Sequence, residues 1–231
     1  MTNAIIASTS TIFGGEYLEY LLPEVEKLFS KASTILFIPF ARPSGISHQE
    51  YTEKVKLAFD KINKKVVGLH EFDDFSKAIN KAEGIFTGGG NTFLLVKQLH
   101  DNNLMTVFSN AIKSGIPYLG CSAGSNITGI SMQTTNDMPI VYPSSFETLG
   151  IIPFNLNPHY LDPDINSTHK GETRETRIKE FHSFNETPVI GLREGSWLEV
   201  VGDVIKLKGS LKARFFEQNR KAIEIESGYE F

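Results

Sequence analysis

Short apolar runs alternate with segments of helical spacing through the first half of the chain, and that rhythm leaves few folds open. The clearest run is Thr34–Phe40, Thr-Ile-Leu-Phe-Ile-Pro-Phe, with no polar alternation after its first residue. A half-exposed strand alternates polar and apolar. An unbroken run belongs to a strand covered on both faces, as in a parallel sheet between helices. Similar short runs stand at Ala4–Ala7, Lys65–Leu69, Gly84–Thr87 and Ile116–Leu119. Helical patterns lie between them, beginning with Tyr17–Phe29, where Leu18, Leu21, Leu22, Val25 and Leu28 share a face. Pro23 marks either a kink or a start in that helix. Ser47–Ile62, Asp74–Lys81, Thr92–Leu99 and Leu104–Ser114 follow. The order predicts an α/β fold: a doubly wound, mainly parallel sheet flanked by helices.

The second half reads differently. Pro and Asn dominate Thr134–Asp164, which predicts long loops around short strands. Lys170–Phe181 is charged and helical in pattern, and Val189–Leu192 is an apolar strand. C-terminal β-hairpins follow: Leu198–Val201, a Gly202-Asp203 turn, Val204–Leu207, then Ala213–Gln218 and Ala222–Glu226. They are expected to extend the sheet or cap its edge. No repeat or linker divides the chain, so residues 1–231 read as a single domain, long enough for a substantial core.

Composition removes several function classes. Lys and Arg number 23 against 27 Asp and Glu, so no basic field calls for nucleic acid and no basic amphipathic segment for a membrane surface. No apolar run approaches the ~20 residues that span a bilayer. The opening Met-Thr-Asn-Ala-Ile-Ile reads as a first strand and not a secretory signal. Cys121 is the one cysteine, which rules out an intrachain disulfide and Cys-based metal clusters. A cytoplasmic protein is expected.

The chemistry centres on Gly120-Cys121-Ser122-Ala123-Gly124. A Gly-x-Ser-x-Gly turn from strand to helix lifts a serine hydroxyl clear of the sheet and offers the next backbone N–H, that of Ala123, to an oxyanion. The bland alternative is a tight turn with Ser122 as an N-cap. Gly88-Gly89-Gly90-Asn91 ends the preceding strand. Ligands of open α/β sheets bind beyond the carboxyl ends of strands, so the two loops are expected to meet, with a glycine N–H from Gly88 or Gly89 completing a two-donor hole. Phosphate binding is a weaker reading, since neither Gly-x-Gly-x-x-Gly nor a Walker Lys-Ser/Thr is present. Neighbouring strand residues point to opposite faces, so Cys121, one position off the motif, reads as a packed residue.

A serine nucleophile needs a base. Of His48, His70, His100, His159, His169 and His182, His159 stands out in the rigid loop Asn157-Pro158-His159-Tyr160, after the apolar run Ile151–Leu156. His48, His100 and His182 lie on or beside charged helices and read as solvated. Two carboxylates compete to orient the imidazole. Asp137, in Thr134-Thr135-Asn136-Asp137-Met138-Pro139, fits the Ser–acid–His chain order of α/β-hydrolases. Glu194, in Leu192-Arg193-Glu194-Gly195, directly follows a buried strand.

Taken in order, Gly88–Thr92, Gly120–Ser125, Thr134–Pro139, Asn157–Tyr160, Gly171–Glu175 and Leu192–Ser196 resemble the peptidase E family of cyanophycinase-like serine peptidases. Each piece is weak alone; the ordered set is specific. The resemblance implies a fold similar to class I glutamine amidotransferases, with serine in place of their cysteine. It implies hydrolysis of dipeptides with an unblocked N-terminal aspartate, with Ser122 as nucleophile, His159 as base and either Asp137 or Glu194 as third member. Tyr160 stands where that family places an aromatic residue. A β-carboxylate on the substrate calls for a cation, and Arg174 is the candidate, against its reading as a solvated helix charge. The expected partner is a small peptide, with no metal or cofactor, in a monomer or homodimer. A cyanophycinase-like β-aspartyl hydrolase, or a non-catalytic small-molecule binding module on the same fold, is the alternative.

Overall fold

Successive residues of one central strand enter different apolar clusters. Ala4 and Ile6, with Leu36 and Ile38, are buried in one; Ile5 and Ala7, with Ile35 and Phe37, are buried in the other. That division is the signature of a sheet covered on both faces. The computed structural model describes residues 1–164, 166, 168 and 170–231; His169 lies outside the described residues.

Strands β1 (Asn3–Ala7), β2 (Thr34–Ile38), β3 (Lys65–Gly68), β4 (Ile85–Thr87) and β5 (Tyr118–Cys121) pair in parallel, in the order β3-β2-β4-β5-β1. Between them run α1 (Leu22–Leu28), α2 (His48–Asp60), α3 (Phe75–Asn80), α4 (Thr92–Asp101) and α5 (Met105–Ser114). One face is covered by α1 and α2 through Val25, Tyr51, Val55 and Phe59. The other is covered by α4 and α5 through Leu95, Leu99, Phe108 and Ile112. Local chemistry sets the helix starts. Pro23 lies in the first turn of α1, where its missing N–H costs nothing, so it begins the helix and does not kink it. Ser47 and Glu50 form a reciprocal capping box on α2.

A short helix α6 (Ala123–Asn126) leaves β5, and a long loop region leads to β6 (Asn155–Pro158), α7 (Arg174–His182) and β7 (Val189–Leu192). The chain ends with β8 (Ser196–Val201), β9 (Val204–Gly209), β10 (Ala213–Phe216) and β11 (Ile223–Ile225). The β8–β9 hairpin extends the first sheet antiparallel to β1. The other strands form a second sheet in the order β11-β10-β7-β6, a separation that periodicity does not reveal. Two strands are shifted from their expected places. Pro117 offers only its carbonyl, to Ile85, so β5 starts at Tyr118 and runs to Cys121. Likewise β6 runs to Pro158, which makes His159 the first residue beyond it.

Candidate active site

The candidate residues stand just past the carboxyl ends of strands. Gly88 and Gly89 follow β4, Ser122 follows β5, His159 follows β6 and Glu194 lies two residues past β7. β4 and β5 run parallel in the first sheet and β6 and β7 in the second, and the carboxyl ends of the two pairs meet where Ser122 contacts His159, the end at which open α/β sheets hold their ligands.

Ser122 has φ 55° and ψ −111°, a backbone conformation that costs a non-glycine residue free energy. The neighbouring glycines make the turn sterically possible. A Cβ at Gly120 would overlap the Gly124 carbonyl, and one at Gly124 would overlap the Thr87 carbonyl. Hydrogen bonds hold the strain in place. The Ser122 N–H donates to Ala7 O at 3.2 Å, and the Asn126 N–H donates to Ser122 O at 2.8 Å. The Ser125 hydroxyl reaches Ala7 O at 2.6 Å and Gly120 O at 2.8 Å, and the Tyr118 hydroxyl donates to Gly124 O at 2.6 Å. The Ala123 N–H donates to no group among the described residues.

His159 also has a positive φ, 54°. Its backbone N–H donates to the Ser8 hydroxyl at 2.9 Å, and that hydroxyl donates to Leu192 O at 2.7 Å. The Asn136 amide holds Pro158 O at 2.6 Å. So anchored, the ring joins two partners: Nε2 is 2.9 Å from Ser122 Oγ and Nδ1 is 2.6 Å from Glu194 Oε1. Both ring nitrogens therefore sit at hydrogen-bond distance, in the serine–base–acid geometry. The side chains of His159 and Glu194 are 38% and 47% exposed, so water reaches the pair.

Asp137 is not part of this chain of contacts, which corrects the Ser–acid–His order. Its carboxylate accepts the Thr92 N–H at 2.7 Å and the Thr135 hydroxyl at 3.1 Å. Thr92 opens α4, so Asp137 satisfies a free N–H at the positive end of that helix. Asn91 caps the same helix through Leu94 N at 3.0 Å and ties the loop to Met138 O at 2.8 Å. Gly89 adjoins the serine: a Cβ on it would lie 3.1 Å from Ser122 Cβ. Gly88 instead lies against Tyr51 and Phe37.

Arg174 opens α7, half-buried, with no carboxylate within ion-pair distance among the described residues. Burial and the neighbouring Arg177 lower its guanidinium from the usual range, while the Asp137 charge opposes that shift. This is neither a fully solvated charge nor a paired one. The Cys121 thiol is buried and pushed up by desolvation, as expected of a packed residue. His182 is buried with Nε2 3.0 Å from Thr187 O, which corrects its reading as solvated. Tyr160 is buried and its phenol is pushed up to about 12, chiefly by desolvation.

Sequence reasoning missed Ser8 and Asn136. Ser8 carried a readable signal, since it directly follows β1, which pairs in parallel with β5 and ends beside Ser122.

Comparison with known proteins gives the same direction. Residues 4–208 match the model of peptidase family S51. A Streptomyces coelicolor protein named Peptidase E is 45% identical over 226 residues, covering 98% of this chain and 92% of its own length. A Drosophila melanogaster protein named Probable alpha-aspartyl dipeptidase is 43% identical over 218 residues, covering 93% and 90%. A crystal structure of a peptidase from an acI-B1 actinobacterium superposes with a TM-score of 0.68 at 18% identity, covering 100% of this chain and 96% of that one.

Proposed function

The chain belongs to peptidase family S51 and is a serine-type dipeptidase, and from that premise we propose that it hydrolyses Asp-X dipeptides with a free N-terminus through an acyl-enzyme. The observation that carries the mechanism is the continuous contact from Ser122 Oγ through His159 to Glu194, at 2.9 and 2.6 Å. His159 Nε2 takes the Ser122 proton as Oγ attacks the scissile carbonyl carbon. Glu194 accepts from Nδ1–H, which fixes the tautomer and stabilises the imidazolium. The Ala123 N–H and an N–H of the glycine loop face the oxyanion. His159 then gives its proton to the departing amine, and the acyl bond to Ser122 remains. Water, deprotonated by His159, attacks that ester and releases aspartate.

Arg174 is the proposed reader of the substrate β-carboxylate. Hydrogen bonds to charged groups contribute roughly 1.5–3 kcal/mol, so the neutral amide of Asn-X should lower kcat/KM by about 10- to 100-fold. A panel of Asp-X, Asn-X, Glu-X, β-Asp-X and N-acetyl-Asp-X peptides tests the reading. Cleavage of Asp-X well above the rest is expected. Preferred cleavage of β-Asp-X would replace it with the cyanophycinase-like activity, and equal rates on Asp-X and Asn-X would remove the charge reader.

A further inference from the structure

Tyr51 lies on the first turns of α2, outside every motif that points to the active site, yet its hydroxyl donates to Gly89 O at 3.0 Å. Gly89 is the residue beside Ser122. We propose that Tyr51 is a positioning residue for the oxyanion hole: its hydroxyl holds the Gly89–Gly90 peptide so that the Gly90 N–H faces the developing oxyanion. The inference rests on the serine mechanism above.

The physical case begins with the peptide unit. A trans amide directs its C=O and N–H to opposite sides. Holding Gly89 O against Tyr51 therefore sends the Gly90 N–H the other way, and that N–H donates to no group among the described residues. A peptide between two glycines resists rotation least of all, because neither has a Cβ to exclude the flipped form. Flipped, the same unit would present a carbonyl oxygen to an oxyanion, which repels it. An anchor on the carbonyl is therefore needed. The far side of the loop is held independently, by the Asn91 N–H on Ala41 O at 2.7 Å. The Tyr51 ring is itself fixed: it meets Phe37 edge-on at 4.9 Å and 88°, and the Arg42 guanidinium lies 5.0 Å from its centroid. Burial raises the phenol from its ordinary range, so the hydroxyl keeps the proton it donates.

Tyr51→Phe tests this, because it removes one oxygen and leaves the ring. Loss of an oxyanion donor costs about 10²–10³ in kcat, and a donor left free to flip should cost less, about 10- to 100-fold, with KM changed less than about threefold. The rate at which a fluorophosphonate labels Ser122 should fall in parallel, since that reaction also builds charge on an oxygen in the hole. Tyr229→Phe, which removes an exposed phenol hydroxyl beside β9, should keep the wild-type kcat, and the melting temperature of each variant checks its fold. A fall in kcat below about fivefold, a rise in KM alone, or an equal loss in Tyr229→Phe overturns the role of the hydroxyl. Equal labelling of wild type and Tyr51→Phe overturns it without reference to any peptide substrate. Wild-type protein that takes no label removes the serine mechanism itself and the Tyr51 role with it, which is a different result.

Discussion

Ser122 is held at φ 55° by hydrogen bonds from its own N–H to Ala7 O and from the Asn126 N–H to its carbonyl, and strain of that kind is informative at a residue that could attack a carbonyl. Ser122→Ala keeps the small side chain the turn needs and removes the hydroxyl. Turnover of Asp-X should fall by about 10⁴-fold or more, with the melting temperature near that of wild type. The two carboxylates separate in the same assay. Glu194→Gln should cost a large factor in kcat, on the order of 10²–10⁴, because Nδ1 loses the acceptor that sets its tautomer. Asp137→Asn should leave kcat within a few-fold and cost about 0.3–1 kcal/mol of stability, the scale of a charge at a helix N-terminus. A reversal of that pattern would return Asp137 to the active site. Ser122 and His159 were legible in the sequence because each sits in a local motif that ends a strand. The choice between Asp137 and Glu194 was not legible. It depends on which loop lies nearer His159 in space, and chain order carries no such distance.

The elements matter through their ends. Each strand that delivers a candidate residue is short, four or five residues except for the three of β4, and each stops where its functional loop begins. The elbow between β5 and α6 works only while Gly124 packs on the Thr87 carbonyl. Gly124→Ala should therefore destabilise by about 1–3 kcal/mol and lower kcat as well, since relief of the overlap moves the turn that holds Ser122. An unchanged melting temperature would show that the overlap is relieved elsewhere. A second device ties the loops after β6 and β7. The Arg193 guanidinium binds Asp162 in a fork at 2.8 and 2.7 Å and also reaches Glu224 at 2.9 and 3.0 Å. These Arg193 hydrogen bonds hold the Asp162 and Glu224 carboxyls below their ordinary ranges. A carboxylate with a depressed folded-state pKa stabilises the fold above its unfolded value and loses that contribution as pH falls through the folded one. Arg193→Met should thus melt below wild type at neutral pH. The gap should narrow as pH drops past 4.5 and then 3.8, the ordinary values for the two groups. A gap independent of pH would show that the fork contributes packing and not charge. Periodicity revealed the strands of this region, but their division into two sheets depends on long-range pairing that no local pattern encodes.

At the scale of the whole molecule, one apolar cluster runs from the first sheet into the second, through Ile6, Ile127, Leu156, Leu192 and Ala213. It packs β5 of the first sheet with β6 and β7 of the second, and past their ends Ser122, His159 and Glu194 meet. Among the described residues, no group of three or more His, Cys, Asp or Glu is placed to hold a metal ion, and no helix is long and apolar enough to cross a membrane. A serine activated by His159 needs no Lewis acid, so activity should survive exhaustive chelation; loss restored by a divalent ion would contradict the mechanism. The most direct test of the central claim is a covalent map of the nucleophile. The protein is treated with a phosphonate analogue of an aspartyl ester, digested, and its peptides are weighed by mass spectrometry. A single adduct on Ser122, suppressed by Asp-X and absent in His159→Ala, is the predicted result. An adduct at any other residue, or undiminished labelling of Ser122 without His159, would contradict the account.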